Sequence, residues 1–280
     1  MALESHSSQH VHRPSYQYEL LVTAVDTRAD LFIESMESFL ANVKLKPSRI
    51  IVHVDKLVDD ETSGTEIESW LQECKIPYYS FMEWPAVGLG RAMLWCFQQA
   101  TLPLVMYTQE DYLTLREIPV ERALKVLTAH NLNHVRFNHR TTMAAKHNNK
   151  GLGKERWEKV EVLCCNMDAY NGDWHQVKLC IADHWYTQMS LWRVERALKG
   201  LTAVNTGTKF ETSNQFVAAF NTWMNSHYGD PLNRPGGPRK WNDQAMRHEC
   251  LKTYIWGPVG EPPFIKHTGS ERTTGPIKHV

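Results

Sequence analysis

Apolar and polar positions along the first 115 residues predict strands and helices in alternation. Short apolar runs predict buried strands at Tyr18–Val25, Arg49–Val54 and Pro77–Phe81, and a fourth runs from Leu102 to Tyr107. Between these runs, apolar residues recur at helical spacing, for example from Phe32 to Leu40. This rhythm predicts a parallel sheet with right-handed crossovers, and therefore an α/β fold of Rossmann type.

The second half of the chain is less regular. Its pattern predicts helices at Glu117–His130, Asp183–Leu198 and Ser213–Asn225, and short strands at His134–Phe137 and Val160–Cys164. Long Asn-, Gly- and Pro-rich loops lie between these elements. We expect a disordered tail over 1–17 and a single domain over 18–280.

Composition narrows the function classes. The 31 Lys and Arg residues balance the 31 Asp and Glu residues, so no global field favours nucleic acid or a membrane surface. The six cysteines form no CxxC pair, which disfavours structural zinc. The chain has no apolar stretch of 18 residues, and its first residues are polar. We therefore expect a cytoplasmic protein without a stable membrane anchor.

Acidic residues follow three of the predicted parallel strands. Asp26 and Asp55 each end a strand, and Glu110 and Asp111 end the fourth. An isolated acid after a strand is usually a turn residue or a helix cap. Three such ends in one sheet indicate a ligand site instead, because the carboxyl ends of parallel strands meet at the edge where open α/β sheets bind ligands.

A glycine-rich turn precedes the third predicted helix. Gly88 and Gly90 permit close backbone approach, the helix N-terminus attracts anions, and Arg91 adds a guanidinium for phosphate oxygens. The spacing is not that of the dinucleotide fingerprint, because no third glycine follows. Alone, this turn is a weak indication of a phosphate site.

The order of these segments resembles that of GT-A-type nucleotide-sugar glycosyltransferases. The resemblance covers about the first 115 residues and rests on the segments TAVDTR, HVD, GLGR and LVMYTQEDYL. It implies a GT-A-like, mostly parallel sheet flanked by helices. Residues 18–115 would then be the nucleotide-sugar-binding half, 116–256 a loop-rich acceptor-binding half, and 257–280 a C-terminal tail.

The resemblance also implies roles for individual residues. Those matched to donor binding are Thr23, Asp26, Arg28, Asp55, Arg91 and Glu110. Asp111 would contact Mn²⁺ or Mg²⁺, and His267 in the tail would complete the metal shell. Gln109 stands where a strict D-x-D motif has an acid, so the motif is a Gln-Glu-Asp variant with two carboxylates.

Two acids in the second half are candidates for catalysis. Glu211 follows Thr208-Lys209-Phe210, which resembles the element carrying the base of inverting members. Its role there would be to deprotonate the acceptor hydroxyl. Asp183 is a second candidate. Either acid could instead stabilise a helix N-terminus, as an acid in the first turn or as a cap.

The acceptor is the least defined partner. Residues 134–159 hold seven Lys or Arg against two Glu, which is typical either of a solvated loop or of an anion-binding lid. A glycan, a protein or a hydroxymethylated DNA base all remain open as acceptors. Two other functions also remain open, namely a catalytically inactive nucleotide-sugar binder and a nucleotidyltransferase.

Overall fold

The computed structural model describes residues 16–139, 160–168, 173–181, 187–206, 210, 212–228, 253–257 and 261–268. The strands are β1 (Glu19–Val25), β2 (Arg49–Asp55), β3 (Tyr78–Glu83), β4 (Leu104–Gln109), β5 (Tyr112–Thr114), β6 (His134–Arg136), β7 (Val160–Asp168), β8 (Asp173–Ile181), β9 (Ser190–Arg193), β10 (Thr253–Trp256) and β11 (Ile265–His267). The helices are α1 (Ala29–Asn42), α2 (Thr65–Glu73), α3 (Leu89–Gln99), α4 (Val120–Ala129), α5 (Val194–Asn205) and α6 (Ser213–Tyr228), and a 3₁₀ turn spans Asp26–Arg28.

Nine strands form one sheet in the order β3-β2-β1-β4-β9-β6-β10-β8-β7. The first four are parallel, as predicted. Beyond β4 the pairs are antiparallel, except that β6 and β10 are parallel. The predicted α/β fold class is therefore confirmed, and the change of strand direction falls beside β4, the strand that ends in the acidic pair.

Helices cover both faces of the sheet and bury two apolar clusters. On one face, α1, α2 and α4 pack over a cluster that includes Phe32, Leu71 and Leu124. On the other, α3, α5 and α6 pack over a cluster that includes Phe97 and Trp192. Because successive residues of a strand point to opposite faces, the continuous apolar runs of β1 and β2 supply both clusters. None of the described helices is long and apolar enough to cross a membrane.

One sequence prediction in the second half is wrong. The predicted helix Asp183–Leu198 begins only at Val194, because Ser190–Arg193 is a strand. That strand lies between β4 and β6 and pairs antiparallel with both. Leu191 faces one apolar cluster and Trp192 the other, which is the alternation of a central strand.

Two helices on opposite faces of the sheet have nearly the same sequence. The first ten residues of α5, VERALKGLTA, match VERALKVLTA of α4 at nine positions. The difference is Gly200 of α5, where α4 has Val126. A Cβ atom at Gly200 would lie 2.7 Å from Cε2 of Phe220 in α6. The glycine thus permits the close approach of α6 to α5. The matching helix α4 lies on the other face of the sheet, where α6 does not pack.

Candidate functional site

The carboxyl ends of the parallel strands meet at one edge of the sheet, as predicted from the positions of the acids. Val25 is paired with Asp55, and Thr23 is paired with both His53 and Gln109. The acids that follow these strands therefore lie along one edge. Their hydrogen bonds, however, divide them into two groups with different partners.

Asp26 is bonded to the loop that follows β2. Its Oδ1 accepts from the backbone N–H groups of Thr27 at 2.8 Å and Leu57 at 3.0 Å. Its Oδ2 accepts from the Ser63 hydroxyl at 2.6 Å. The residue is 4% exposed. Asp26 therefore holds the loop between β2 and α2 against the end of β1.

Asp55 is bonded to the turn that begins α3. Its two carboxylate oxygens accept from the backbone N–H groups of Val87 at 3.1 Å and Gly88 at 2.9 Å. Burial raises the pKa of Asp55, although these N–H groups and nearby His53 oppose the shift. Gly88 has φ +81°, a conformation that glycine adopts without strain. The predicted phosphate-binding turn is thus positioned by Asp55.

A buried histidine joins this edge to β3. His53 lies with Nε2 3.1 Å from Oε2 of Glu83 and Nδ1 3.7 Å from Oδ1 of Asp55. The rings of Phe81 and Trp95 enclose it. This cluster is not among the predictions from the sequence. The signal was the alternation in HVD and FME, which sets His53, Asp55, Phe81 and Glu83 on one face of the sheet.

Two predicted donor residues differ in accessibility. Thr23 is buried, and its hydroxyl is 2.8 Å from the Tyr107 hydroxyl. Arg91, in the first turn of α3, is exposed, and its side chain has no ion pair among the described residues. Its guanidinium is therefore available to an anionic ligand, whereas the Thr23 side chain contributes to the packing under the site.

Arg28 meets the acidic pair at the end of β4. Its Nη1 lies 3.1 Å from Oε1 of Glu110 and 3.9 Å from Oδ2 of Asp111. Both acids are buried, with 5% and 6% of their surface exposed. Burial and the charge of Asp111 raise the pKa of Glu110 to about 7, although Arg28 lowers it. The site therefore holds one guanidinium and two closely spaced carboxyl groups.

The C-terminal strand brings a histidine to the same pair. β11 pairs antiparallel with β5 in a separate two-stranded sheet, and Nε2 of His267 lies 2.9 Å from Oδ2 of Asp111. Thr268 donates to the backbone carbonyl of Asp111 from its N–H at 2.9 Å and its hydroxyl at 3.1 Å. The structure thus brings together His267 and Asp111, the two predicted metal ligands, which lie 156 residues apart in the chain.

Arg116 contacts residues 261–264, the segment that precedes β11. Its guanidinium stacks 3.6 Å from the ring centre of Phe264 and donates to the carbonyls of Pro262 at 2.7 Å and Pro263 at 3.2 Å. It also pairs with Glu261. No pattern in the sequence predicts this contact, because it joins positions 145 residues apart.

The residues present can be compared with the needs of a divalent cation. Oδ1 of Asp111 is buried and has no hydrogen-bond partner, and the His267 imidazole lies beside the same carboxylate. A carboxylate with an imidazole suits Mn²⁺ better than Mg²⁺, which prefers oxygen ligands alone. Among the described residues, no three His, Cys, Asp or Glu side chains form a protein shell for a metal. These two side chains would give a divalent cation two protein ligands, and oxygens of water or substrate would supply the rest.

Gln109 is turned away from the acidic pair. Its side-chain amide donates a hydrogen bond of 2.8 Å to the backbone carbonyl of Thr187, which precedes β9 in the chain. It therefore ties β4 to the segment leading into β9. The side chain at the first position of the predicted Gln-Glu-Asp motif thus connects two segments of the described structure.

Several predicted features lie outside the described residues. They are Glu211, Asp183 and most of the basic segment 134–159, of which residues 140–159 fall in a gap up to the start of β7. The base and the anion-binding lid therefore stay predictions.

Comparisons with known proteins address the fold. No model of a protein family matches the chain, and no curated protein matches it in sequence. The structure of Staphylococcus aureus TarS 1–349 in complex with UDP superposes with a TM-score of 0.50 at 9% identity, over 90% of this chain and 60% of that one. The mannosyltransferase PcManGT from Pyrobaculum calidifontis in complex with GDP-Man and Mn²⁺ gives 0.45 at 13% identity, over 66% and 47%. The 4-diphosphocytidyl-2C-methyl-D-erythritol synthase from Anaerococcus prevotii gives 0.43 at 9% identity, over 88% and 90%. The chain thus spans about 60% of TarS 1–349 and less than half of the mannosyltransferase. The superposition on TarS supports the α/β, GT-A-like fold.

Proposed function

We propose that the chain transfers a sugar from a nucleotide-diphosphate donor to an acceptor hydroxyl. The observation that carries this proposal is the convergence of Arg28, Glu110, Asp111 and His267 at the carboxyl edge of the parallel strands. Cationic and cation-binding groups at this edge suit a diphosphate. The fold is shared with TarS, whose structure contains UDP.

Within this proposal, the donor residues act in two ways. Arg28 and Arg91 bind phosphate oxygens, with the N-terminus of α3 adding favourable dipoles. Thr23, Asp26 and Asp55 shape the nucleoside end of the site, Asp26 and Asp55 through the loops that they hold.

Asp111 and His267 would hold Mn²⁺, with Glu110 beside them. When bound, the ion would stabilise the negative charge that develops on the leaving diphosphate.

The transfer itself needs a base. Glu211 would take the proton of the acceptor hydroxyl, whose oxygen then bonds to the anomeric carbon as the bond to the diphosphate breaks. The nucleoside diphosphate leaves, and the configuration inverts. Asp183 is the second candidate for this base. The acceptor is a glycan, a protein or a hydroxymethylated DNA base, and the basic segment 134–159 would contact it if it is anionic.

Donor binding is tested by thermal denaturation. The parent chain is heated with UDP-, GDP- and other nucleotide sugars in the presence of Mn²⁺, and a true donor raises the melting temperature because it binds the native state alone. Asp111→Asn should lose most of this rise, and Glu73→Gln, which removes an exposed charge on α2, should keep it. If no nucleotide sugar stabilises the parent, the proposal is wrong.

Catalysis is tested at Glu211. Glu211→Gln should abolish sugar transfer while donor affinity stays within about twofold of the parent, because a base acts on the acceptor. Intact transfer in this variant would reject Glu211 and direct the same test to Asp183.

A further inference from the structure

Arg28 occupies the same carboxylates that would hold a cation. Its guanidinium reaches Glu110 at 3.1 Å and Asp111 at 3.9 Å, and both acid side chains are more than nine-tenths buried. Two buried carboxylates this close repel each other, and a nearby positive charge offsets the repulsion. In the described structure, Arg28 supplies that charge from the 3₁₀ turn after β1.

Glu110 and Asp111 together carry at most two negative charges, which is little to stabilise both Arg28 and a divalent cation. Gln109 is neutral and hydrogen-bonded to Thr187, so no third carboxylate from the end of β4 joins the pair. With Arg28 in contact, the net charge of the group is at most one negative. A divalent ion held by Asp111 would lie close to the guanidinium, and like charges repel strongly where water is largely excluded.

We propose that Arg28 and a divalent cation compete for Glu110 and Asp111. When the cation binds, the guanidinium leaves the carboxylates. The Arg28 side chain is 23% exposed, so it has an open side toward which it can move. This inference rests on the metal part of the proposed function and is independent of the nucleotide, the sugar and the acceptor.

The probe is Mn²⁺ alone, with its dissociation constant for the full chain measured by calorimetry or by electron paramagnetic resonance. Arg28→Ala should bind Mn²⁺ about tenfold or more tightly than the parent, because a competing positive charge is gone. Arg28→Lys keeps that charge and should stay closer to the parent. Lys199→Gln, which removes an exposed charge on α5, should leave the affinity unchanged.

Added guanidinium ion separates competition from a change of structure. In Arg28→Ala, millimolar guanidinium chloride should weaken Mn²⁺ binding back toward the parent value, and the same concentration of potassium chloride should not. A variant that has lost its fold cannot give this response. If Arg28→Ala does not fold, as judged by its melting transition, Arg28→Gln takes its place in both measurements.

The outcomes are distinct. Equal or weaker Mn²⁺ binding by the folded variant would overturn the competition and leave the metal role standing. Absence of Mn²⁺ binding in the parent and in all variants would overturn both the competition and the metal role. Stabilisation by a nucleotide sugar is measured separately, so failure of the donor proposal would leave this inference intact.

Discussion

Glu19, at the end of the sheet opposite the candidate site, is predicted to contribute strongly to stability. It is 2% exposed. Its carboxylate accepts from the N–H groups of Thr101 at 2.8 Å and Leu102 at 3.0 Å, and from the Thr101 hydroxyl at 2.8 Å. Arg49 adds an ion pair at 2.7 Å. These bonds join β1 to β2 and to the segment that enters β4.

Glu19→Gln removes the charge and keeps the shape. One acceptor oxygen becomes an NH₂ group that faces donors, and Arg49 loses its counter-ion. Hydrogen bonds to charged groups contribute about 1.5–3 kcal/mol each, and breaking a buried ion pair costs about 3–5 kcal/mol. Because 28% of the Arg49 side chain is exposed, water compensates for part of the loss. We expect the free energy of unfolding to fall by about 2–4 kcal/mol.

The effect should depend on pH in a defined direction. Burial raises the pKa of Glu19, but the hydrogen bonds from Leu102 and Thr101 and the charge of Arg49 outweigh it and leave the pKa below its ordinary value. The stability that the ionised group adds is complete above the ordinary carboxyl pKa of about 4.3 and is lost as the pH falls through the lower folded pKa. The difference between parent and Glu19→Gln should therefore shrink at acid pH.

Urea unfolding at pH 7 and at pH 3–4 measures both effects, provided that the slope with denaturant is unchanged. Glu37→Gln, an exposed acid on α1, is the matched control and should change stability by less than about 0.5 kcal/mol. A loss below about 1 kcal/mol in Glu19→Gln at pH 7, or a difference that grows at acid pH, would refute the reasoning.

Three further predictions concern other parts of the molecule. Asp26→Ala should lower the free energy of unfolding, measured in urea, by about 1–3 kcal/mol, because the loop between β2 and α2 loses a buried hydrogen-bond acceptor. The same loop should become more sensitive to proteases. Gly200→Val makes α5 match α4 over ten residues, yet it should cost about 1–3 kcal/mol in the same urea assay through the clash with Phe220. Ala203→Val, which places the same side chain at an exposed position of α5, is the comparison and should cost less than about 1 kcal/mol. Glu110→Gln should gain stability relative to the parent in urea unfolding as the pH rises from 5 to 8, because the folded carboxyl of the parent keeps its proton up to a pKa of about 7, whereas the unfolded carboxyl has lost it near the ordinary pKa of about 4.3.

The first half of the fold was predictable because its information is local. Apolar runs and helical spacing fix strands and helices one at a time, and the right-handed crossover rule then orders the parallel strands. The second half depends on partners distant in the chain. Ser190–Arg193 has apolar residues that suit a helix as well as a strand, and its pairing with β4 and β6 decides the outcome. β11 is three residues long and is defined by β5.

The similar sequences of α4 and α5 show a second limit of prediction from the sequence. Nine matching positions are visible in the sequence, but the two helices pack on opposite faces of the sheet. Nearly identical local sequences therefore do not have identical surroundings in the fold. The one substituted position, Gly200, is the part of the repeat that carries information on packing, since α6 covers α5 there.

The acids at the sheet edge show that a position at a strand end does not by itself decide the role of an acid. Loops that cross this edge leave backbone N–H groups in need of acceptors, and a buried N–H without one costs about 1–3 kcal/mol. Asp26 and Asp55 satisfy those groups with their carboxylate oxygens, and their donors lie up to 37 residues away. Glu110 and Asp111 instead face Arg28 and His267, and one oxygen of Asp111 has no hydrogen bond. Four acids that are equivalent in the sequence thus separate into two that build the edge and two whose side chains suit a charged ligand.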